Sequence, residues 1–162
     1  MNRRGPEVVI QELCIDRGWR LAVAESCTGG SAGARLTSVP GSSAYFSGGV
    51  IAYSNDLKIN LLNVPAKLLE TCGAVSGPAA ESMARGVASI TGADCGISIT
   101  GVAGPGGGTP EKPLGTVWVG MALPSSTTSR LFKFTGKRED VREQAVQAAL
   151  ELFLETADTW KP

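Results

Sequence analysis

Leu21–Thr37 reads LAVAESCTGGSAGARLT. Leu21 to Ala24 are apolar and predict a short buried strand, after which Glu25-Ser26-Cys27-Thr28-Gly29-Gly30 turns the chain into a helix from about Ser31 to Thr37. Strand, glycine turn and helix in that order point free backbone N–H groups at an anion. Thr28, Gly29 and Gly30 are therefore candidate ligand-binding residues. A plain helix cap at Thr28, with glycines for a tight turn, accounts for the same residues. GxGxxG and the Walker pattern are both absent.

Outward from that unit, helices and strands alternate. Glu7–Arg17 carries Val9, Ile10, Leu13 and Cys14 at helical spacing and stops at Gly18. Gly49–Tyr53 (GVIAY) reads as a strand, followed by a helix from Asp56 to about Leu62 and a second short one over Ala66–Cys72. Ser76-Gly77-Pro78 starts a longer helix ending at Gly92, with Ala80, Met83, Ala84, Val87 and Ile90 on its buried face. Cys95–Val102 (CGISITGV) is a β-branched strand. It runs into Ala103-Gly104-Pro105-Gly106-Gly107-Gly108-Thr109, which reads either as a loop bringing N–H groups against a phosphate or as a flexible connection. Leu114–Leu123 and Arg130–Phe134 are two further strands joined by the polar turn Pro124–Ser129. The last helix, about Glu139–Thr156, buries Val141, Ala145, Ala148, Leu152 and Phe153. Its start carries Lys137, Arg138 and Arg142, cations where the helix dipole disfavours them; a local anion explains this, and so does solvated surface charge. The alternation, closed by two consecutive strands, predicts an α/β fold: a three-layer α/β/α sandwich on a mixed sheet.

With 162 residues, 43% of them hydrophobic, the chain suits one well-buried domain over 1–162 and is too short for two of ordinary size. Lysine plus arginine balances aspartate plus glutamate at 15 each, so no global field draws it to nucleic acid or a membrane surface. The absence of histidine excludes Ser-His-Asp and Cys-His nucleophiles and His-ligated metals. Cys14, Cys27, Cys72 and Cys95 lie far apart with no CxxC pair and read as reduced, mostly buried thiols; no metal or cofactor is expected. No apolar run approaches the roughly 18 residues of a membrane span. Met1–Pro6 lacks the apolar core of a signal peptide, so a cytoplasmic location is expected.

Catalytic potential concentrates in Gly41–Lys58, GSSAYFSGGVIAYSNDLK, where a serine pair precedes a strand and a lysine follows it. A neutral lysine can take a hydroxyl proton if its surroundings lower its pKa. Ser54-Asn55 is a helix-start signal that puts Lys58 in a first turn, where the helix dipole opposes an ammonium. A strand of five or six residues covers roughly 17–20 Å, however, which separates Ser42 and Ser43 from Lys58. Either Ser42–Phe46 doubles back as a short helical turn or the lysine partner comes from another subunit of a homo-oligomer.

With AESCTGG, GSS, YSN plus Lys58, GAVSGP, SITGVAGPG and KPLGTVW all in order, the chain resembles the C-terminal domain of the competence-damage-inducible protein A (CinA) family from about Glu7 to Leu154. The resemblance implies an anticodon-binding-domain-like α/β/α sandwich on a mixed five-stranded sheet. It implies hydrolysis of nicotinamide mononucleotide to nicotinate mononucleotide and ammonia, with a small-molecule nucleotide as the partner and no cofactor. By position the family's nucleophile falls on Ser43 and its lysine base on Lys58. Tyr53, counted with the catalytic residues, and Thr28, Ser42, Asn55 and the loop from Thr100 and Gly101 to Gly104 and Gly106 become pocket residues; the glycine loops and the basic start of the last helix make Arg138 or Arg142 a candidate cationic partner of a substrate phosphate held by backbone N–H groups. Some members carry an additional N-terminal domain similar to molybdopterin-binding proteins; without it, this chain is expected to act as a stand-alone amidase. Two other readings use the same stretches: Cys27 as nucleophile with Glu25 and Lys58 as partners, or a module that binds a nucleotide and hydrolyses nothing.

Overall fold

Strand β1 (Leu21–Glu25) is buried at every position and forms the middle of the sheet's parallel part. The computed structural model describes residues 4–161; Met1 to Arg3, within the stretch read for a signal peptide, and Pro162 lie outside the described residues. Five strands are ordered β2-β1-β3-β4-β5, with β2 (Phe46–Ile51), β1 and β3 (Cys95–Gly101) parallel and β4 (Thr116–Leu123) and β5 (Ser126–Lys133) antiparallel. Helices α1 (Pro6–Arg17), α2 (Ser31–Thr37) and α6 (Arg138–Thr159) cover one face, and α3 (Asn55–Asn60), α4 (Ala66–Cys72) and α5 (Gly77–Thr91) the other. The mixed α/β/α sandwich is the expected one.

Strand alternation divides the core. Leu21 and Val23 face Ile10, Cys14, Leu36, Ile97 and Phe153, whereas Ala22 and Ala24 face Leu62, Met83 and Val87. The second face is built of small residues because α5 lies almost on the sheet backbone. A Cβ at Gly96 of β3 would come within 2.1 Å of the Ala84 carbonyl oxygen, and one at Gly120 of β4 within 2.3 Å of that of Ala80. Ser98 uses the same closeness, its buried Oγ donating to the Ala80 carbonyl at 2.5 Å.

Several element boundaries differ from the sequence reading. The second strand is Phe46–Ile51, not Gly49–Tyr53, since Ile51 opposite Glu25 is the last residue pair with β1. Strand β5 starts at Ser126 because Ser126, Thr127, Thr128 and Ser129 pair with Leu123 back to Gly120, leaving a tight turn where a six-residue polar loop was expected. Ile90 is exposed, since α5 outruns the sheet there, and Ala148 is only half-buried while Val146, Ala149 and Leu150 enter the core. Among the described residues no helix is long and apolar enough to cross a membrane.

The connections set where a site can form. From β1 the chain crosses through α2 to β2 on one side, then returns through α3–α5 to β3 on the other. The carboxyl ends of β1 and β3 therefore flank a topological switch point, where open α/β sheets leave a crevice. Gly96→Ala tests the close approach of α5 that holds β3 in place: it should lower stability by about 1–3 kcal/mol, read from urea unfolding. An unchanged midpoint would contradict that packing.

Candidate active site

Three strand ends converge at the crevice, Ser26 following β1, Ala52-Tyr53 following β2, and Val102 to Gly104 following β3. The ladder continues past β2 for one bond, Ala52 N donating to the Glu25 carbonyl at 2.8 Å. Helix α3 then starts at the cap Ser54, whose Oγ accepts from Leu57 N at 3.2 Å, and so turns Lys58 back toward β1.

The Lys58 side chain is 1% exposed. Its Nζ lies 3.1 Å from Ser26 Oγ, 2.8 Å from the Ala52 carbonyl oxygen and 3.3 Å from that of Tyr53. Burial lowers its pKa from the usual 10.5, opposed in part by the neighbouring Cys27 thiol. The two carbonyls engage two N–H bonds, so a neutral amine keeps its lone pair for the Ser26 hydroxyl. Ser26 is itself buried, its N–H donating to the Ile99 carbonyl at 2.9 Å. This hydroxyl–amine pair has the geometry of a nucleophile and its base.

Ser43, the nucleophile implied by the resemblance, is not at this pair within the chain. It lies exposed in the single turn Ser42–Ala44, ahead of β2, where Arg20 donates to the Ser43 carbonyl at 3.4 Å. The short helical turn is present but feeds straight into β2, so Ser42 and Ser43 stay at the strand end opposite Lys58. Sequence reasoning missed Ser26 as the lysine's partner. Its signal was a serine directly after a buried strand, beside a lysine following the adjacent parallel strand.

The anion reading of the α2 turn is also corrected. Glu25 carries the anion: its carboxylate accepts from the N–H groups of Gly30, Ala32 and Gly33 and from Thr28 Oγ1. The helix cap is Gly30, at φ 103°, and not Thr28. Glu25 thus faces α2 and is not a partner of Cys27. Burial raises the Cys27 thiol to about 11, which leaves it protonated at neutral pH and unsuited to attack.

The remaining expected residues divide. Thr100 is buried and donates from Oγ1 to the Ala74 carbonyl at 2.8 Å, a bond that holds the α4–α5 connection. Gly101 closes β3 against Val117, Gly106 is exposed in open space, and Asn55 opens α3 with an exposed side chain. Lys112 Nζ ties the glycine-rich loop to the end of α4 through the Cys72 carbonyl at 2.8 Å. Arg138 donates to the Gly104 carbonyl at 2.8 Å and to Tyr53 Oη at 3.2 Å, bridging from the loop after β3 to the residue after β2. Arg142 donates to the Cys27 and Thr28 carbonyls at 3.1 and 3.0 Å. Among the described residues neither guanidinium pairs with a carboxylate. The α6 start itself is balanced by Asp140, whose Oδ2 accepts from Lys137 N at 2.7 Å. A cavity of about 420 Å³ between α2 and α6 shares Ser31 and Arg142 with this region but lies outside the Ser26–Lys58 pair.

A mixed α/β/α sandwich carrying a buried serine–lysine pair at its switch point is the class that fold and site define. The chain belongs to the CinA C-terminal domain family, whose model matches residues 5–157. It is 49% identical over 145 residues to a CinA-like protein of Desulfotalea psychrophila, covering 90% of this chain and 35% of that protein. To a CinA-like protein of Synechocystis it is 57% identical over 130 residues, 80% of this chain and 31% of the relative. The chain thus spans about a third of the length of these relatives. Among solved structures, the competence damage-inducible protein A (ComA) of Klebsiella pneumoniae superposes with a TM-score of 0.92 at 35% identity, covering 98% of this chain and 100% of that one.

The lysine burial has a thermodynamic consequence with a definite sign. Because the folded pKa lies below 10.5, the unfolded chain binds this proton more tightly, and protonation favours unfolding. Relative to Lys58→Met, the parent should gain stability as pH rises from the folded pKa to 10.5 and show no such trend below that window. Urea unfolding of both proteins across pH 7–10 measures the difference; parallel curves would remove the shift.

Proposed function

We propose that this chain is an amidohydrolase that cleaves the carboxamide of nicotinamide mononucleotide, with Ser26 as nucleophile and Lys58 as its base. The observation that carries the chemistry is Lys58 Nζ at 3.1 Å from Ser26 Oγ, buried and oriented by two carbonyls. The choice of substrate rests on the family resemblance and on the two arginines at the rim without carboxylate partners.

Neutral Lys58 takes the Ser26 proton as Oγ bonds to the carboxamide carbon, and the carbonyl oxygen becomes an oxyanion. The Thr28 N–H has no hydrogen-bond partner among the described residues and, with the Cys27 N–H beside it, is a donor close in sequence to the nucleophile for that oxyanion. The Lys58 ammonium returns its proton to the departing nitrogen, the C–N bond breaks and ammonia leaves. Lys58 then takes a proton from a water whose oxygen bonds to the ester carbon, and gives that proton to Ser26 Oγ as the ester C–O bond breaks, leaving the free acid and the starting serine. With the α2 N–H groups already held by Glu25, the substrate phosphate is assigned to Arg138 and Arg142.

Ammonia release from nicotinamide mononucleotide tests the reading. Ser26→Ala should abolish turnover and Cys27→Ala keep most of it. Lys58→Arg, folded by circular dichroism, should lose about 100- to 10,000-fold, the usual worth of a general base. Turnover lost with Ser43→Ala and kept with Ser26→Ala would instead put a second subunit's Ser43 at Lys58. Binding of the mononucleotide without ammonia release would leave a nucleotide-binding module.

For the parent, kcat/KM should rise with pH through the lowered pKa of Lys58, because the free enzyme must hold the amine neutral. Arg142→Ala and Arg138→Ala should each lower kcat/KM for the mononucleotide by about 10- to 100-fold, the worth of a charged hydrogen bond. Neither should matter for nicotinamide riboside, which lacks the phosphate. Equal specificity constants for the two substrates would take the phosphate site away from these arginines.

A further inference from the structure

Glu25 ends β1 and is 1% exposed. Its Oε2 accepts from Thr28 Oγ1 at 2.6 Å and from Gly30 N and Ala32 N at 3.1 Å each, and its Oε1 accepts from Gly33 N at 2.9 Å. Among the described residues no cation pairs with it. Burying a carboxylate without a cation is costly, and oriented N–H and O–H donors are what offset it here. A helix of seven residues does not require such an anchor for packing alone, since α2 already buries Ala32 and Leu36. What the anchor does constrain is the turn between β1 and α2. Ser26 is the next residue after Glu25; its N–H is tied to the Ile99 carbonyl and its carbonyl to Gly29 N at 3.2 Å. The carboxylate grips the turn beyond it, so Ser26 sits between two fixed ends with Oγ directed at Lys58.

We propose that Glu25 is a positioning residue, whose carboxylate holds the Ser26–Gly30 turn so that Ser26 Oγ stays aimed at the Lys58 amine. It acts through Ser26 and makes no hydrogen bond to Lys58, whose Nζ contacts Ser26, Ala52 and Tyr53. The proposal rests on Ser26 being the nucleophile, and its test carries one readout that does not depend on turnover.

Glu25→Gln keeps the size of the side chain but replaces one acceptor oxygen with a donor facing the same N–H groups. In the folded variant kcat for nicotinamide mononucleotide should fall about 100-fold, the loss expected for a nucleophile displaced by an ångström, with KM within about twofold. The second readout is alkylation by iodoacetamide, followed by mass spectrometry at each cysteine of the native protein. Cys27 is buried and Cys72 exposed, so the parent should label at Cys72 first. In Glu25→Gln, Cys27 should label at least about tenfold faster and Cys72 at an unchanged rate. An unchanged kcat overturns the proposal, as does a loss confined to KM or a fall in kcat with Cys27 still protected. If the parent releases no ammonia, the amidase reading fails by itself and the Cys27 rates alone decide: equal rates refute the clamp. Should Glu25→Gln not fold, Glu25→Asp, which keeps the charge one methylene short, takes its place with the same expected directions.

Discussion

A lysine amine held in the protein interior against a serine hydroxyl is the constraint on which this architecture turns. An ammonium in that position loses its water shell, and burial penalises the charged form by several kcal/mol. Among the described residues the amine meets the Ala52 and Tyr53 carbonyls, which accept from it, and the Ser26 hydroxyl, and it meets no carboxylate. A carboxylate there would favour the ammonium over the neutral amine. Those carbonyls are in place because β2 pairs parallel with β1 and the ladder runs one residue beyond β2, carrying Ala52 past the end of the strand beside Ser26.

Charge around the pair is separated by depth. Glu25, the one fully buried carboxylate among the described residues, is enclosed by the N-terminal N–H groups of α2, and the two guanidiniums of α6 rest on neutral carbonyls and a phenol. The interior carboxylate and the guanidiniums are thus kept apart, each on partners of its own. Tyr53 belongs to both levels, its carbonyl on the lysine and its hydroxyl on Arg138.

On the α3–α5 face, helix and sheet approach each other closely. Backbone contact of α5 with Gly96 and Gly120 removes slack between helix and sheet, and the hydroxyls of Ser98 and Thr100 fasten β3 to α5 and to the loop before it. Interiors packed at that density shift little, which keeps the short Ser26–Lys58 oxygen–nitrogen distance in place. The chain spans about a third of its CinA-like relatives, and the pair, the clamp and the arginines all lie within this third.

Local chemistry in the sequence determined most of the elements. Apolar runs, glycine stops and the caps at Ser54 and Ser76 mark strands and helices through interactions only a few residues long, and the missing histidine excluded histidine-based nucleophilic sites. Ordered motifs carried the family. Sequence could not show which serine meets that lysine: Ser43 lies 15 positions from Lys58 along the chain and Ser26 lies 32, yet Ser26 is the one in contact. Nor could it show that the glycine turn after β1 is filled by the chain's own Glu25. Both outcomes depend on strand order, because parallel pairing brings the carboxyl ends of β1 and β2 together and sends the start of β2 to the far edge. That pairing is a long-range choice, made by burying both faces of β1 at once, and only the tertiary structure decided it.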